Sequence, residues 1–241
     1  MTQNIYDTET FFTAYSRLPR STEGLDGAPE WPALQALLPD LGERTVLDLG
    51  CGFGWFCRWA RHNGAASVLG VDVSDRMLAR AKAETDDPAI HYTRADLEHF
   101  ALSPATFDLA YSSLAFHYIE DLQRLLASVH AALLPGGTLI FSVEHPICTA
   151  PTHPEWTIDA GHATWPVNQY LDEGPRTTNW LAPGVIKQHR TIATYVNLLL
   201  RTGFTLSHVD EWALSEAQIG AHPEWADERH RPSFLLVRCG R

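Results

Sequence analysis

The chain has 241 residues, of which 45% are hydrophobic and 20% charged, with a formal net charge of −11. That length accommodates one sizeable α/β domain with a full core, and the acidic balance argues against a nucleic-acid backbone as substrate. No apolar run approaches the roughly 20 residues that cross a bilayer, and the first residues show no basic region followed by an apolar core, so a cytoplasmic protein with no membrane partner is expected. Cys51, Cys57, Cys148 and Cys239 form no C-x-x-C pair and no disulfide framework, which reads as reduced thiols.

Residues 1–30 are rich in aromatics and arginine, among them Tyr6, Phe11, Phe12, Tyr15, Arg17 and Arg20. They predict an arm or short helix packed on the body. Apolar residues from Trp31 to Leu38 recur at helical spacing until Pro39 and Gly42. From Thr45 onward strand and helix alternate, which predicts a parallel sheet covered on both faces. The first strand is 45–49 and a helix runs from about Gly54 to Asn63. The second strand, 68–72, ends on Asp72, and Ser74 and Asp75 supply the N-terminal signals of the next helix. Ile90 to Thr93 is a third strand and Phe107 to Ser113 a fourth. Leu122, Leu125, Leu126 and Val129 then form one helical face. Leu134 to Gly137 reads as a turn before a fifth strand, 138–143. The alternation stops between Glu144 and Arg190, a stretch with Trp156, Trp165, Tyr170, Trp180 and four histidines. Aromatics this dense argue against disorder, and a long segment of this kind in a compact domain is usually functional. We expect an inserted cap over a substrate pocket. A helix from Ile192 to Leu199, a strand at 204–209 and a last strand at 234–237 complete the chain.

The stretch Val46-Leu47-Asp48-Leu49-Gly50-Cys51-Gly52-Phe53-Gly54 organises the rest. It reads as a buried strand entering a tight loop that opens a helix, with glycines that admit a ligand close to the main chain. The dinucleotide fingerprint G-x-G-x-x-G does not fit, because its third glycine position is Trp55. Asp48 would also repel a pyrophosphate, whereas it suits a ligand carrying an ammonium group. The pattern D-x-G-x-G-x-G resembles class I S-adenosylmethionine-dependent methyltransferases of the small-molecule type, over roughly residues 42–145 and 190–240. The resemblance implies a seven-stranded, mostly parallel Rossmann-like sheet with helices on both faces, plus the inserted cap after the fifth strand. It also implies S-adenosyl-L-methionine as cofactor and one domain, with 1–30 as arm or lid and 144–190 as cap.

Carried onto this chain, the resemblance assigns Asp48, Gly50 and Gly52 to the cofactor loop. Asp72, 22 residues after Gly50, would accept from both ribose hydroxyls, with Val73 and Met77 as apolar walls for the adenine. Asp96 would accept from the adenine amino group while the Leu97 amide donates to the ring. Ser112 and the loop to His117 would meet the methionine part, and Tyr15, Arg17 or Arg20 its carboxylate or the substrate. Nucleobase methyltransferases carry Asn or Asp, then Pro-Pro and an aromatic, after the fourth strand; Ser112, Ser113, Leu114 and Ala115 stand here instead. That agrees with the charge and points to a small-molecule acceptor.

Methyl transfer needs alignment and exclusion of water, and a base where the nucleophile carries a proton. The candidate bases are His117, His145 and His189. The spacing of His145, His153 and His162 matches no metal-ligand pattern. Two rivals stand beside the enzyme: a non-catalytic cofactor- or partner-binding module of the same fold, and an NAD-dependent oxidoreductase. The assembly expected is a monomer or homodimer.

Overall fold

The computed structural model describes residues 3–241. Its main sheet contains β1 (Thr45–Leu49), β2 (Ser67–Asp72), β3 (Ile90–Arg94), β4 (Phe107–Ser113), β5 (Leu133–Glu144), β10 (Thr205–Trp212) and β11 (Phe234–Gly240). The spatial order is β10-β11-β5-β4-β1-β2-β3. β1 to β5 are mutually parallel, and β11 runs antiparallel to both β5 and β10. The chain travels outward from β1 through β2 to β3, then restarts on the other side of β1 with β4. This reversal opens a crevice at the carboxyl ends of β1 and β4, where ligands bind in open parallel sheets.

Helices cover both faces. α3 (Trp31–Leu37) and α4 (Trp55–His62) bury Trp31, Leu34, Phe56, Cys57 and Ala60 against one. α6 (Leu122–Ala132) and α8 (Ile192–Thr202) bury Leu122, Leu125, Leu126, Val129, Tyr195 and Leu199 against the other. Period-two alternation in β1 sends Leu47 and Leu49 to the α6 side and Val46 to the α4 side. Asp48 shares the Val46 face, so the strand geometry itself places a carboxylate under α4.

Two elements differ from the sequence reading. The predicted turn at 134–137 is part of β5. Phe107 pairs with Leu133 and Leu109 with Thr138, so the extra residues bulge out of the ladder, with Gly136 at φ +79°. The stretch after β5 is also not featureless. It folds as α7 (Pro146–Thr149) and two hairpins, β6–β7 (Thr157–Asp159, His162–Thr164) and β8–β9 (Gly174–Thr178, Val185–His189). Their strands are short, and β6, β7 and β8 bury no residue, so no long hydrophobic alternation announces them.

Residues 3–27 form two further helices, α1 (Glu9–Tyr15) and α2 (Pro19–Thr22), with 3-10 turns on either side. The start of this arm is tied to two elements. Asp7 accepts from Ser74 Oγ at 2.5 Å and from the Arg76 amide at 3.1 Å, at the start of α5 (Asp75–Ala83). Gln3 donates to the Gly184 carbonyl at 2.8 Å and accepts from the Ile186 amide at 3.0 Å, in the β8–β9 hairpin. Tyr6, Phe11, Tyr15 and Trp180 pack edge-on between these ties. α9 (Glu216–Ala221), closed by a capping box at Ser215 and Gln218, precedes β11. No described helix is long and apolar enough to cross a membrane.

Candidate active site

A cavity of about 330 Å³ lies at the carboxyl ends of β1 and β4. Its floor is the β1–α4 loop. Gly50 sits at φ +79°, and a Cβ there would meet the Ala115 Cβ at 2.4 Å. Gly52 has φ +52°, with no atom within 4 Å of where its Cβ would stand, so its bare backbone faces open space. Gly54 begins α4 as its left-handed N-cap. The Gly52 amide donates to Asp72 Oδ2 at 2.8 Å, which ties the loop to the end of β2. Asp72 Oδ1 takes the Ser74 amide at 2.9 Å.

Asp48 and Asp72 both line this cavity. Asp48 is only 2% exposed. Burial pushes its pKa up to about 7, and the nearby Asp72 charge adds to the rise. The Cys57 thiol, donating to Asp48 Oδ2 at 3.2 Å, opposes it. Burial likewise raises Asp72, against three backbone donors. Two mutually repelling carboxylates beside an open glycine surface call for a cation. They fit a cofactor with an ammonium and a sulfonium, and they disfavour a diphosphate.

The remaining predicted residues divide. Val73, Met77 and Leu97 line the cavity, as do Tyr15, Arg20 and His117. Arg20 is held by Glu30 through two hydrogen bonds of 3.1 and 3.2 Å. Asp96 does not reach the lining; its Oδ1 accepts from the Glu98 amide at 3.0 Å and shapes the turn that presents Leu97. Ser112 is fully buried and donates to the Leu49 carbonyl at 2.8 Å, pinning β4 to β1, so the lining residue is its neighbour Ser113. His145 caps α7, its Nδ1 accepting from the Ile147 amide, and its Nε2 pairs with Glu211 at 2.9 Å. His189 ends β9, and bonds the Thr149 hydroxyl and the Tyr170 carbonyl. Neither histidine lines the cavity. Burial lowers the pKa of both, which suits neutral rings that tie α7 to β10 and to the β8–β9 hairpin.

Sequence reasoning did not single out Gln3, Tyr6, Tyr118 or Phe234, which also line the cavity, and it noted Trp180 only as part of the cap. For Tyr6 and Trp180 the density of aromatics in the arm and the hairpin segment was the available signal. Leu114 gave none. It lines the cavity at φ +54°, a conformation that bulky residues avoid, held by amide bonds to the Ser142 carbonyl and hydroxyl. Among the described residues no group of three or more His, Cys, Asp or Glu gathers as a metal site.

An acid-ended second strand, a glycine loop and a crevice at the strand reversal define an α/β nucleotide-cofactor protein. Comparison with known proteins specifies it further. Residues 47–141 match the family model described as Methyltransferase domain. The crystal structure of an S-adenosylmethionine-dependent methyltransferase from Mesorhizobium loti is similar, with 58% identity and a TM-score of 0.87 over 90% of this chain and all of that one. A malonyl-[acyl-carrier protein] O-methyltransferase of Pectobacterium atrosepticum is 30% identical over 84% of this chain and 73% of its own. A trans-aconitate 2-methyltransferase of Deinococcus radiodurans is 39% identical over 46% of this chain and 42% of its own. The chain belongs to the class I S-adenosylmethionine-dependent methyltransferases and is an enzyme that uses S-adenosylmethionine.

Proposed function

We propose that the enzyme methylates a small-molecule acceptor held between the arm and the β8–β9 hairpin. One observation carries this reading. A single cavity runs from Asp48 and Asp72 to Tyr6, His117, Tyr118, Glu144 and Trp180, so cofactor and acceptor would share one space. The two named relatives support the class of acceptor, since they act on a carrier-bound malonyl group and on trans-aconitate.

When bound, the cofactor supplies an already activated methyl on a sulfonium sulfur. Asp48 would pair with its ammonium, and Asp72 would accept from the ribose hydroxyls. Val73, Met77 and Leu97 would flank the adenine, and the Gly50–Gly52 backbone would lie against the amino-acid part. Arg20 and Tyr15 would meet the carboxylate, with Glu30 hydrogen-bonded to the guanidinium. The arm and hairpin would exclude water and align the acceptor, which can contribute several kcal/mol. The test is calorimetric titration with S-adenosylmethionine, its demethylated product and NAD, followed by transfer of a labelled methyl to a metabolite pool. Binding of the first two and a labelled product are expected. Binding of NAD alone would overturn the reading.

A further inference from the structure

We propose that His117 is a fixed hydrogen-bond donor to the acceptor rather than its base, and that the acceptor is a carboxylic acid methylated on an oxygen that is already ionised. The inference rests on the methyltransferase reading above and names its substrate class.

The geometry around one ring carries the argument. Nδ1 of His117 accepts the backbone amide of Glu144 at 3.3 Å. A backbone N–H can only donate, so a neutral ring in this position bears its proton on Nε2. The ring is 2% exposed and lines the cavity. Nε2 has no hydrogen-bond partner among the described residues, yet it is not one of the fully buried, unpartnered polar atoms. It is therefore the polar atom this ring presents to the cavity, as a donor. Burial, together with the Lys187 and Arg190 charges, lowers the ring to a pKa of about 4, against the pull of Glu144. It stays neutral at physiological pH.

Nothing else at this end takes a proton. Glu144 is bound by the Lys187 ammonium at 2.5 Å. Burial favours its neutral form, but the Lys187 ammonium, with a smaller contribution from Arg231, outweighs that and holds it below the usual range, so it is a weak base. The Tyr6 hydroxyl donates to the Tyr118 hydroxyl at 3.3 Å, and burial raises both far above neutrality, so neither is a base and Tyr118 keeps a proton to donate. The charges facing His117 are Lys187, Arg190 and Glu144, two cations to one carboxylate. An ammonium or an alcohol would enter this space with a proton and no group to receive it. A carboxylate, ionised above about pH 4, enters with none to lose. Its oxygen lone pair forms the new O–C bond to the methyl, the C–S bond breaks with its electron pair left on sulfur, and no proton moves.

Three measurements test this. In cofactor-free protein, ¹⁵N spectra of labelled histidine should show His117 protonated on Nε2, bare on Nδ1 and unchanged from pH 5.5 to 8.5. A ring protonated on Nδ1, or one titrating near 6.5, overturns the assignment. Second, labelled methyl is offered to separate pools of carboxylic acids, amines and phenols. Label released as methanol by mild alkali marks an ester and is the expected result. Alkali-stable label overturns this inference and leaves the methyltransferase reading standing. No label from any pool, in protein that binds the cofactor, overturns both. Third, with an accepted acid, His117→Gln retains a donor and should keep kcat/KM within about tenfold, while His117→Ala should lose roughly 10- to 100-fold with an unmoved pH profile. Equal collapse of both variants, with loss of an acidic limb from the pH–rate profile, would identify a base and refute the proposal.

Discussion

Asp48→Asn should make the cofactor-free protein more stable and the enzyme worse. Asp48 is isosteric with Asn and buried under α4, so the change removes a charge with little change in packing. An unfolded aspartate gives up its proton near pH 3.9, whereas the folded one holds it to about pH 7. The folded pKa is raised, so the contribution to stability is fully present below about pH 4 and is lost as pH rises to about 7. Three units at about 1.4 kcal/mol each set an upper bound of about 4 kcal/mol above pH 7. Relaxation and water entry reduce this to roughly 1–3 kcal/mol. For a chain of this size, 2 kcal/mol moves Tm by about 4–8 °C. Urea and thermal unfolding without cofactor, at pH 8 and pH 4, measure it: a gain at pH 8 that vanishes at pH 4 is expected. Calorimetry should show S-adenosylmethionine affinity at pH 8 reduced 10- to 100-fold in the variant. Wild-type affinity should itself fall below pH 7, by up to tenfold per unit, so the two proteins converge in acid. A variant less stable at pH 8, or one that binds cofactor normally, would refute the reasoning.

Asp72→Ala should lower cofactor affinity tenfold or more, the loss of about 1.5–3 kcal/mol of hydrogen bonds to a charged group; unchanged affinity in folded protein would remove Asp72 from the site. Gly52→Ala should cost only the roughly 1–2 kcal/mol of a left-handed alanine in unfolding experiments, because its Cβ meets nothing, yet calorimetry should show a larger loss of cofactor binding. Gly50→Ala should destabilise more, since its Cβ also strikes Ala115. Arg20→Met leaves Glu30, 1% exposed at the side chain, as a buried unpaired charge and should cost about 3–5 kcal/mol; adding Glu30→Gln should recover most of it in the same unfolding assay. His145→Gln and His189→Gln should lower stability by about 1–2 kcal/mol through lost hydrogen bonds while kcat holds, once an acceptor is in hand.

Where a residue acts through strand periodicity or a local loop, the sequence was enough. The alternation of β1 and the glycines after it declare a buried carboxylate at a ligand loop, because side-chain facing and backbone permissiveness are local properties. Asp72 follows from the same logic one strand later, and so do the sheet and its covering helices. Ser112 and Asp96 show the limit, since both stand at strand ends of the right kind. Which of two adjacent residues faces the cavity depends on pairing: Ser112 turns to the Leu49 carbonyl, and Asp96 turns back on its own loop. The histidines show it more sharply. His117, His145 and His189 are alike in sequence, and only long-range contacts to Glu144, Glu211 and Thr149 separate a cavity donor from two structural ties. The same holds for the walls. Tyr6 and Trp180 are 174 residues apart, and Gln3 reaches Gly184 and Ile186 across a similar span. Sequence determined the glycine loop and its two carboxylates, built from short-range geometry. Only the tertiary structure decided the far end of the cavity, whose two walls meet through contacts that no local pattern encodes.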